Sequence, residues 1–389
     1  MDVEKLYEQV LQRLDITQNL EEEQVNSAIE AVLDEMRRTR QLSVAKRHYL
    51  RKKLYYAICG YDILSELSED EDITEIMVNG HNKIFIEKKG RIEQTELVFT
   101  SEERLMTVIS RIVSNVNRRV NESSPIVDAR LPDGSRVNIV LPPVSIDGIT
   151  LTIRRFPKER ITMDKMITWG CITREAADFL KQLILAKYNV FICGGTGSGK
   201  TTFLNVLTDY IPEGERIISI EDSAELQISH IKNLVRLETR LENEQGAHGV
   251  TIRDLIKTAL RMRPDRIIVG EVRGEEALDM LQAMLTGHDG SLSTGHADSP
   301  ADMMTRLETM VLMGCNLPLD AIQRQIAAAL DVVVFLGRMP DKSRGILEIA
   351  EVNKTVDTQV RLTPLFIRKE SLVQVGKLSN QEKLKRYGI

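Results

Sequence analysis

The stretch GGTGSGKTT, Gly194 to Thr202, constrains this chain more than any other. It matches the spacing GxxxxGK[ST] and stands between an apolar run, VFIC, and an amphipathic run, KTTFLNVLTDYI, so the local pattern reads strand, tight loop, helix. In that setting glycines let backbone N–H groups curl around a phosphate at a helix start, where the helix dipole favours an anion. Lys200 then reaches the outer phosphates and the Thr201 hydroxyl is offered to magnesium. Gly194, Gly195, Thr196, Gly197, Ser198, Gly199, Lys200, Thr201 and Thr202 are therefore the expected binders of a nucleoside triphosphate and Mg2+.

A loop of this kind needs an α/β domain around it, and the flanking pattern supplies one. From about residue 172, TREAADFLKQLILAK reads as helix, YNVFICGG as strand, RIISIED as strand, RDLIKTALRM as helix, DRIIVGE as strand and EALDMLQAML as helix. This order predicts a mainly parallel sheet over residues 172–389, with ligands gathered at the carboxyl ends of its strands. Two more helices and the strands VVVFL and ILEIAEV follow.

Upstream, residues 1–66 are helical in pattern, Val3, Leu6, Tyr7, Val10, Leu11 and Leu14 recurring on one face. Residues 67–157 carry short alternating segments, punctuated by NG, KG and DG turns around one helix, and predict an α+β domain. Residues 158–171 lack periodicity and are expected to be an interdomain linker, with a hinge in the Phe156 to Gly170 stretch. The basic run Met36 to Leu54 reads either as a solvated helical face or as a surface for anionic lipid or an acidic partner.

Composition narrows the function. At 389 residues with 42% hydrophobic content the chain fills two or three ordinary cores. Aromatic residues at 4% and a net charge of −5 argue against direct nucleic-acid contact. No apolar run approaches the ~18 to 20 residues that span a bilayer, and the start MDVEKLYEQVL does not resemble a signal peptide, so a cytoplasmic protein without a transmembrane segment is expected. Cys59, Cys171, Cys193 and Cys315 form no CxxC pair and predict reduced thiols, without zinc.

Two further strands end in acids: Glu221 and Asp222 in ISIEDSAEL, and Glu271 in RIIVGEVRG, where many phosphate-loop enzymes place an aspartate. If these strands flank the phosphate-loop strand, their carboxylates converge on the magnesium and the attacking water. Asp222 reads equally as a turn residue. His288 and His296, in TGHDGSLSTGHADSP, are candidates for a hydrogen bond that reports a terminal phosphate.

Together these residues resemble the secretion ATPases of the type II and type IV superfamily, most closely the branch that powers tight-adherence (Flp) pili, CpaF- or TadA-like. The resemblance runs from about Asp72 to Val352. It rests on ITEIMVNG, ARLPDGSRVN, GGTGSGKTT, IEDSAEL, LRMRPDRIIVGEVRGEEALDMLQAMLTGHDGS and STGHADSP. It implies a RecA-like P-loop motor domain preceded by an α+β amino-terminal domain and a helical segment. It also implies that Glu271 orients or deprotonates the attacking water, that Glu221 and Glu271 help Thr201 hold Mg2+ or water, and that His296 senses the terminal phosphate. Arg136 and Arg154, with Arg130 and Arg155 as neighbours, match amino-terminal-domain arginines that reach the nucleotide in homohexameric rings; Arg240 is a further candidate.

Partners by this resemblance are inner-membrane platform proteins of a pilus or secretion machine. The chain departs from the family pattern at Glu244, Gln245, Gly246 and His248, and GRMPDKSRG lacks a DG turn. The absence of a four-cysteine zinc insertion favours the Flp or VirB11-like branches. Two other readings stand beside this one: a type IV secretion or conjugation motor, and a nucleotide-gated scaffold with little turnover.

Overall fold

A computed structural model describes residues 3–14, 21–39, 42–88, 90–114, 120–155, 160–240, 249–339, 341, 343–353 and 360–389. The loop carrying Glu244, Gln245, Gly246 and His248 lies outside the described residues, as do Lys89 of the KG turn and residues 156–159 of the expected hinge. The chain divides into two compact units, Met1–Arg160 and Ile161–Ile389.

The first unit begins with four helices, α1 (Val3–Leu11), α2 (Glu22–Thr39), α3 (Val44–Ile58) and α4 (Ile63–Leu67). Val10, Val25, Ile29, Leu33, Leu50 and Leu54 form the common core of α1 to α3, while Ile63, Leu64 and Leu67 of α4 join the core of the sheet that follows. The basic side of α3 is neutralised within the unit: Arg47 pairs with Glu30 and with Asp34, Lys52 with Glu69 and Lys53 with Glu66. That is the solvated, internally paired face, and it leaves these cations less available to a lipid surface.

Six strands follow: β1 (Ile73–Asn79), β2 (Ile84–Lys88), β3 (Arg91–Gln94), β4 (Ile126–Arg130), β5 (Arg136–Val140) and β6 (Thr150–Arg154). They make an antiparallel sheet in the order β3-β2-β1-β6-β5-β4. Alternation sets its buried face. Ile76, Val78, Val137, Ile139, Leu151 and Ile153 pack with Leu105, Ile109 and Ile112 of α5 (Glu102–Ser114). Arg104 of α5 ties sheet to helices, donating to Asp62 at 2.6 Å while its guanidinium lies 3.7 Å from the Tyr7 ring centroid.

The second unit opens with α6 (Met163–Thr168), capped by the Thr162 side chain, with Met163 and Met166 buried in this unit's core. Most of the stretch expected as a linker is therefore packed structure; six residues are too few to show a helical period. Then come α7 (Arg174–Leu185), β7 (Val190–Gly194), α8 (Lys200–Thr208), β8 (Arg216–Glu221), β9 (Asn233–Glu238), α9 (Ile252–Ala259) and β10 (Arg266–Val269). After them lie α10 (Glu276–Leu285), β11 (Leu292–Gly295), α11 (Pro300–Gly314), α12 (Leu319–Ala329), β12 (Val332–Arg338), β13 (Arg344–Asn353), β14 (Arg361–Arg368), β15 (Leu372–Gln374) and α13 (Glu382–Tyr387).

The nine strands form one mixed sheet in the order β15-β14-β13-β12-β7-β11-β10-β8-β9. From β12 to β9 all pairings are parallel, and from β12 to β15 all are antiparallel. Both faces of the parallel part are covered. Val190, Ile192, Ile217 and Val334 pack with Leu180, Ile184, Phe203 and Leu207 of α7 and α8. Their neighbours Phe191, Ile218, Ile220 and Val333 pack with Ile256, Leu281, Leu307 and Ile326 of α9 to α12. Burial on both sides explains why these strands read as unbroken apolar runs.

Candidate functional site

The strand order corrects one premise of the sequence reading. β8 and β10 do not flank β7; β11 and β12 do. LSTG in β11 escaped recognition because Ser293 and Thr294 are polar, yet both are buried, and a Cβ on Gly295 would stand 3.0 Å from the Phe191 ring. Gly295 pairs with Cys193 of β7, so His296 emerges beside the phosphate loop.

β7 ends at Gly194, and residues 195–199 turn into α8, whose first residue is Lys200. Gly199 takes φ 94°, a left-handed conformation that strains other residues, and it gives α8 no side-chain cap. The first N–H groups of α8 are thus left for a ligand, and its first turn carries no acid to repel an anion. Lys200 is only 7% exposed; its Nζ donates to Gly194 O at 3.1 Å and Gly195 O at 3.2 Å and lies 3.3 Å from His296 Nδ1.

An ammonium has only protons to give, so Nδ1 accepts and the ring proton belongs on Nε2. That nitrogen stands 2.7 Å from Glu271 Oε1, close but without hydrogen-bond alignment. Glu271 Oε2 accepts from Arg273 at 2.6 Å, and Arg273 also approaches Asp222 at 3.6 Å. Lys200, His296, Glu271, Arg273 and Asp222 form one continuous polar chain. Burial holds His296 below its ordinary 6.5, although Glu271 pulls the other way, so the imidazole is neutral at pH 7. Burial also lowers Lys200, opposed by Glu271.

Glu221 approaches the site from β8 and is 3% exposed. Its Oε1 accepts from the backbone N–H of Glu225 at 2.8 Å and of Leu226 at 2.9 Å, which shapes the loop after β8. Its Oε2 is buried with no hydrogen-bond partner among the described residues, and burial raises the carboxyl above 4.5. A buried carboxylate oxygen left unpaired is costly, and a cation or its bound water satisfies it. The uncapped α8 start, the free Glu221 oxygen and the half-buried Thr201 together suit a magnesium-bound polyphosphate.

Other expected residues lie elsewhere. His288 sits before β11, at the opposite end of that strand from His296, with Nδ1 3.2 Å from Ala283 O at the end of α10. Arg240 follows β9, four strands from β7 in the sheet, roughly 19 Å at the usual strand spacing, and is not brought to the loop of its own chain. Arg136 and Arg154 are register partners on β5 and β6 of the first unit, and Arg130 pairs with Arg136 across β4 and β5. Arg155 instead donates to Ser68 O, Asp70 O and Ile73 O, a structural clamp. The sequence reading overlooked Arg273; its adjacency to Glu271 by two residues was the signal available.

Fold and site define an α/β protein built around a glycine-rich loop at the carboxyl end of a central parallel strand. Residues 60–359 match the family described as Type II/IV secretion system protein, and the chain belongs to that family. An uncharacterized protein of Methanocaldococcus jannaschii is 44% identical over 250 residues, 62% of this chain but only 34% of that protein. A putative conjugal transfer protein of Mycobacterium tuberculosis is 33% identical over 299 residues, covering 75% of this chain and 84% of that one. Among solved structures, the Legionella pneumophila ATPase DotB aligns with TM-score 0.54 at 22% identity, over 76% of this chain and 80% of that one. The pilus retraction motor PilT with bound ADP aligns with TM-score 0.55 at 18% identity, over 84% and 86%. These two likenesses concern the fold.

Proposed function

We propose that the chain is a P-loop ATPase of RecA-like build that powers a secretion or pilus-assembly machine. The observation that carries this reading is the chain from Lys200 through neutral His296 to Glu271 at the mouth of the glycine-rich loop. Lys200 and the N–H groups of α8 bind and orient the polyphosphate. Glu271 positions and takes a proton from the attacking water, and His296 links that carboxylate to the lysine that reads the phosphates. Thr201, with Glu221 and Glu271, would hold Mg2+, which when bound neutralises phosphate charge. Glu221 Oε2, buried without a hydrogen-bond partner among the described residues, is the oxygen that would accept from the metal-bound water. Glu271→Gln should bind ATP with near-normal affinity and hydrolyse it at least about a hundredfold more slowly; turnover at the wild-type rate removes the assigned role.

The finer reading is a CpaF-like motor of Flp pili. It acts as a cytoplasmic homohexamer docked on inner-membrane platform proteins, with residues 67–157 and 172–389 as its moving domains. Arg136 and Arg154 would then reach the nucleotide phosphates on closure; alanine at either position should reduce turnover. The description of the mycobacterial relative favours one second reading, a conjugation motor. Salt-sensitive stimulation of hydrolysis by DNA would support it.

A further inference from the structure

The strands that flank β7 each deliver a side chain to the glycine-rich loop. β11 delivers His296. β12, on the other side, pairs Leu336 with Gly194, so Arg338 lies two residues beyond the end of β7, level with the loop. Its guanidinium Nη2 stands 2.7 Å from where a Cβ on Gly197 would be, and the Arg344 Cδ stands 3.9 Å from where one on Gly199 would be. Arg338 and Arg344 are register partners at the turn end of the β12–β13 hairpin.

Two cations directly opposite each other in an antiparallel pair repel, and among the described residues neither forms an ion pair. Asp341 between them in sequence does not neutralise them: its Oδ1 accepts from Ser343 N at 2.9 Å and Ser343 Oγ at 2.5 Å. Such a pair is stabilised by an anion from outside the protein. What lies within its reach is a loop whose own geometry suits a polyphosphate.

We propose that Arg338, supported by Arg344, contacts the polyphosphate of the nucleotide held on the loop of the same chain, opposite His296. The contact is charge-assisted and directed to phosphate oxygens, not to the base. This rests on the reading of the loop as an ATP site, and it gives the GRMPDKSRG hairpin a role that does not depend on its turn type.

The test is equilibrium binding of ATP, ADP and inorganic tripolyphosphate to the full chain and to its Arg338→Ala, Arg338→Gln, Arg338→Lys, Arg344→Ala and Lys200→Ala variants. Arg338→Ala and Arg338→Gln are expected to weaken ATP and tripolyphosphate by the same factor, roughly ten- to a hundredfold. Arg344→Ala should weaken both less, and Arg338→Lys should recover part of the loss. The melting temperature without nucleotide should not fall, since removing one of two opposed cations relieves repulsion, whereas the ATP-induced rise should shrink. Unchanged ATP affinity in both neutral Arg338 variants, with Lys200→Ala impaired, overturns the proposal. So does a loss for ATP with none for tripolyphosphate, which would assign Arg338 to the base or ribose. Failure of the unaltered chain to bind ATP would instead sink the underlying reading of the loop.

Discussion

Gly270 lies against Glu221: a Cβ at position 270 would come within 2.9 Å of the Glu221 Cγ. This explains why RIIVGEVRG ends in glycine before its acid. Gly270 N also donates to Ile220 O at 2.8 Å, so the backbone is locked to β8 and cannot retreat. The Gly-Glu corner makes room for a second carboxylate from the neighbouring strand and then supplies its own. Gly270→Ala should therefore displace Glu221 and lower turnover more than tenfold, at a stability cost of about 1–3 kcal/mol for overpacking. In a Glu221→Ala background the same substitution should cost little further stability. A double-mutant cycle by chemical denaturation, with hydrolysis measured in parallel, checks this; additive costs would show that the two positions do not interact.

The same carboxylate should trade stability for function. Burial raises Glu221 above 4.5, so its folded form resists the negative charge. With the folded value above the unfolded one, its contribution is most favourable below about pH 4.5 and is lost as pH rises through the folded value. A glutamine side chain at this position keeps an oxygen for the N–H groups of Glu225 and Leu226 and carries no charge. Glu221→Gln is therefore expected to raise the melting temperature at pH 7.5, to show no such gain near pH 4, and to lose hydrolysis. Equal gains at both values would point to packing, not charge.

The glycine-rich loop, both strand-end glutamates and the histidine motif were legible because each is a contiguous run whose residue types serve one chemistry. What sequence could not supply is lateral order. Strand adjacency is set by pairing between distant segments, so nothing local in LSTG or VVVFLGR revealed that β11 and β12, not β8 and β10, stand beside β7. For the same reason His296 was visible as a motif but its 3.3 Å approach to Lys200 was not, and Arg338 drew no notice. Arg47 and Lys52 looked like a basic surface because their partners, Glu30, Asp34 and Glu69, belong to other segments.

His296 should give hydrolysis an acid limb. Burial places its folded value below 6.5, so the ring is neutral through pH 7 and gains its proton only at lower pH. A protonated Nδ1 cannot accept from Lys200 and adds a second cation beside it, which weakens the linkage to Glu271. The limb in kcat should accordingly fall below pH 6.5. His296→Gln retains an acceptor and a donor without titrating there; its residual activity should lack that limb. A limb unchanged in the variant would assign the titration to another group. Stability follows the same sign: the unfolded chain takes the proton first as pH falls through 6.5, so this group destabilises the fold only on the acid side.

The sheet that positions these groups depends on an ion pair remote from the loop. Arg266 opens β10 with no exposure, donating to Glu215 at 2.6 and 2.9 Å and to Ile184 O at 2.7 Å. A Cβ on Gly290 would strike this guanidinium, so the pocket is shaped around it. Glu215→Ala leaves a buried cation with only the carbonyls of Ile184 and Gly290 and no counter-charge, which costs about 3–5 kcal/mol. Arg266→Met, which removes the charge itself and fills part of the volume, should cost less than Glu215→Ala even though it deletes more hydrogen bonds. Denaturant midpoints for the two variants and the double variant decide the matter: a larger loss in Arg266→Met would mean that the hydrogen bonds of this guanidinium, not the uncompensated charge, hold β10 in place.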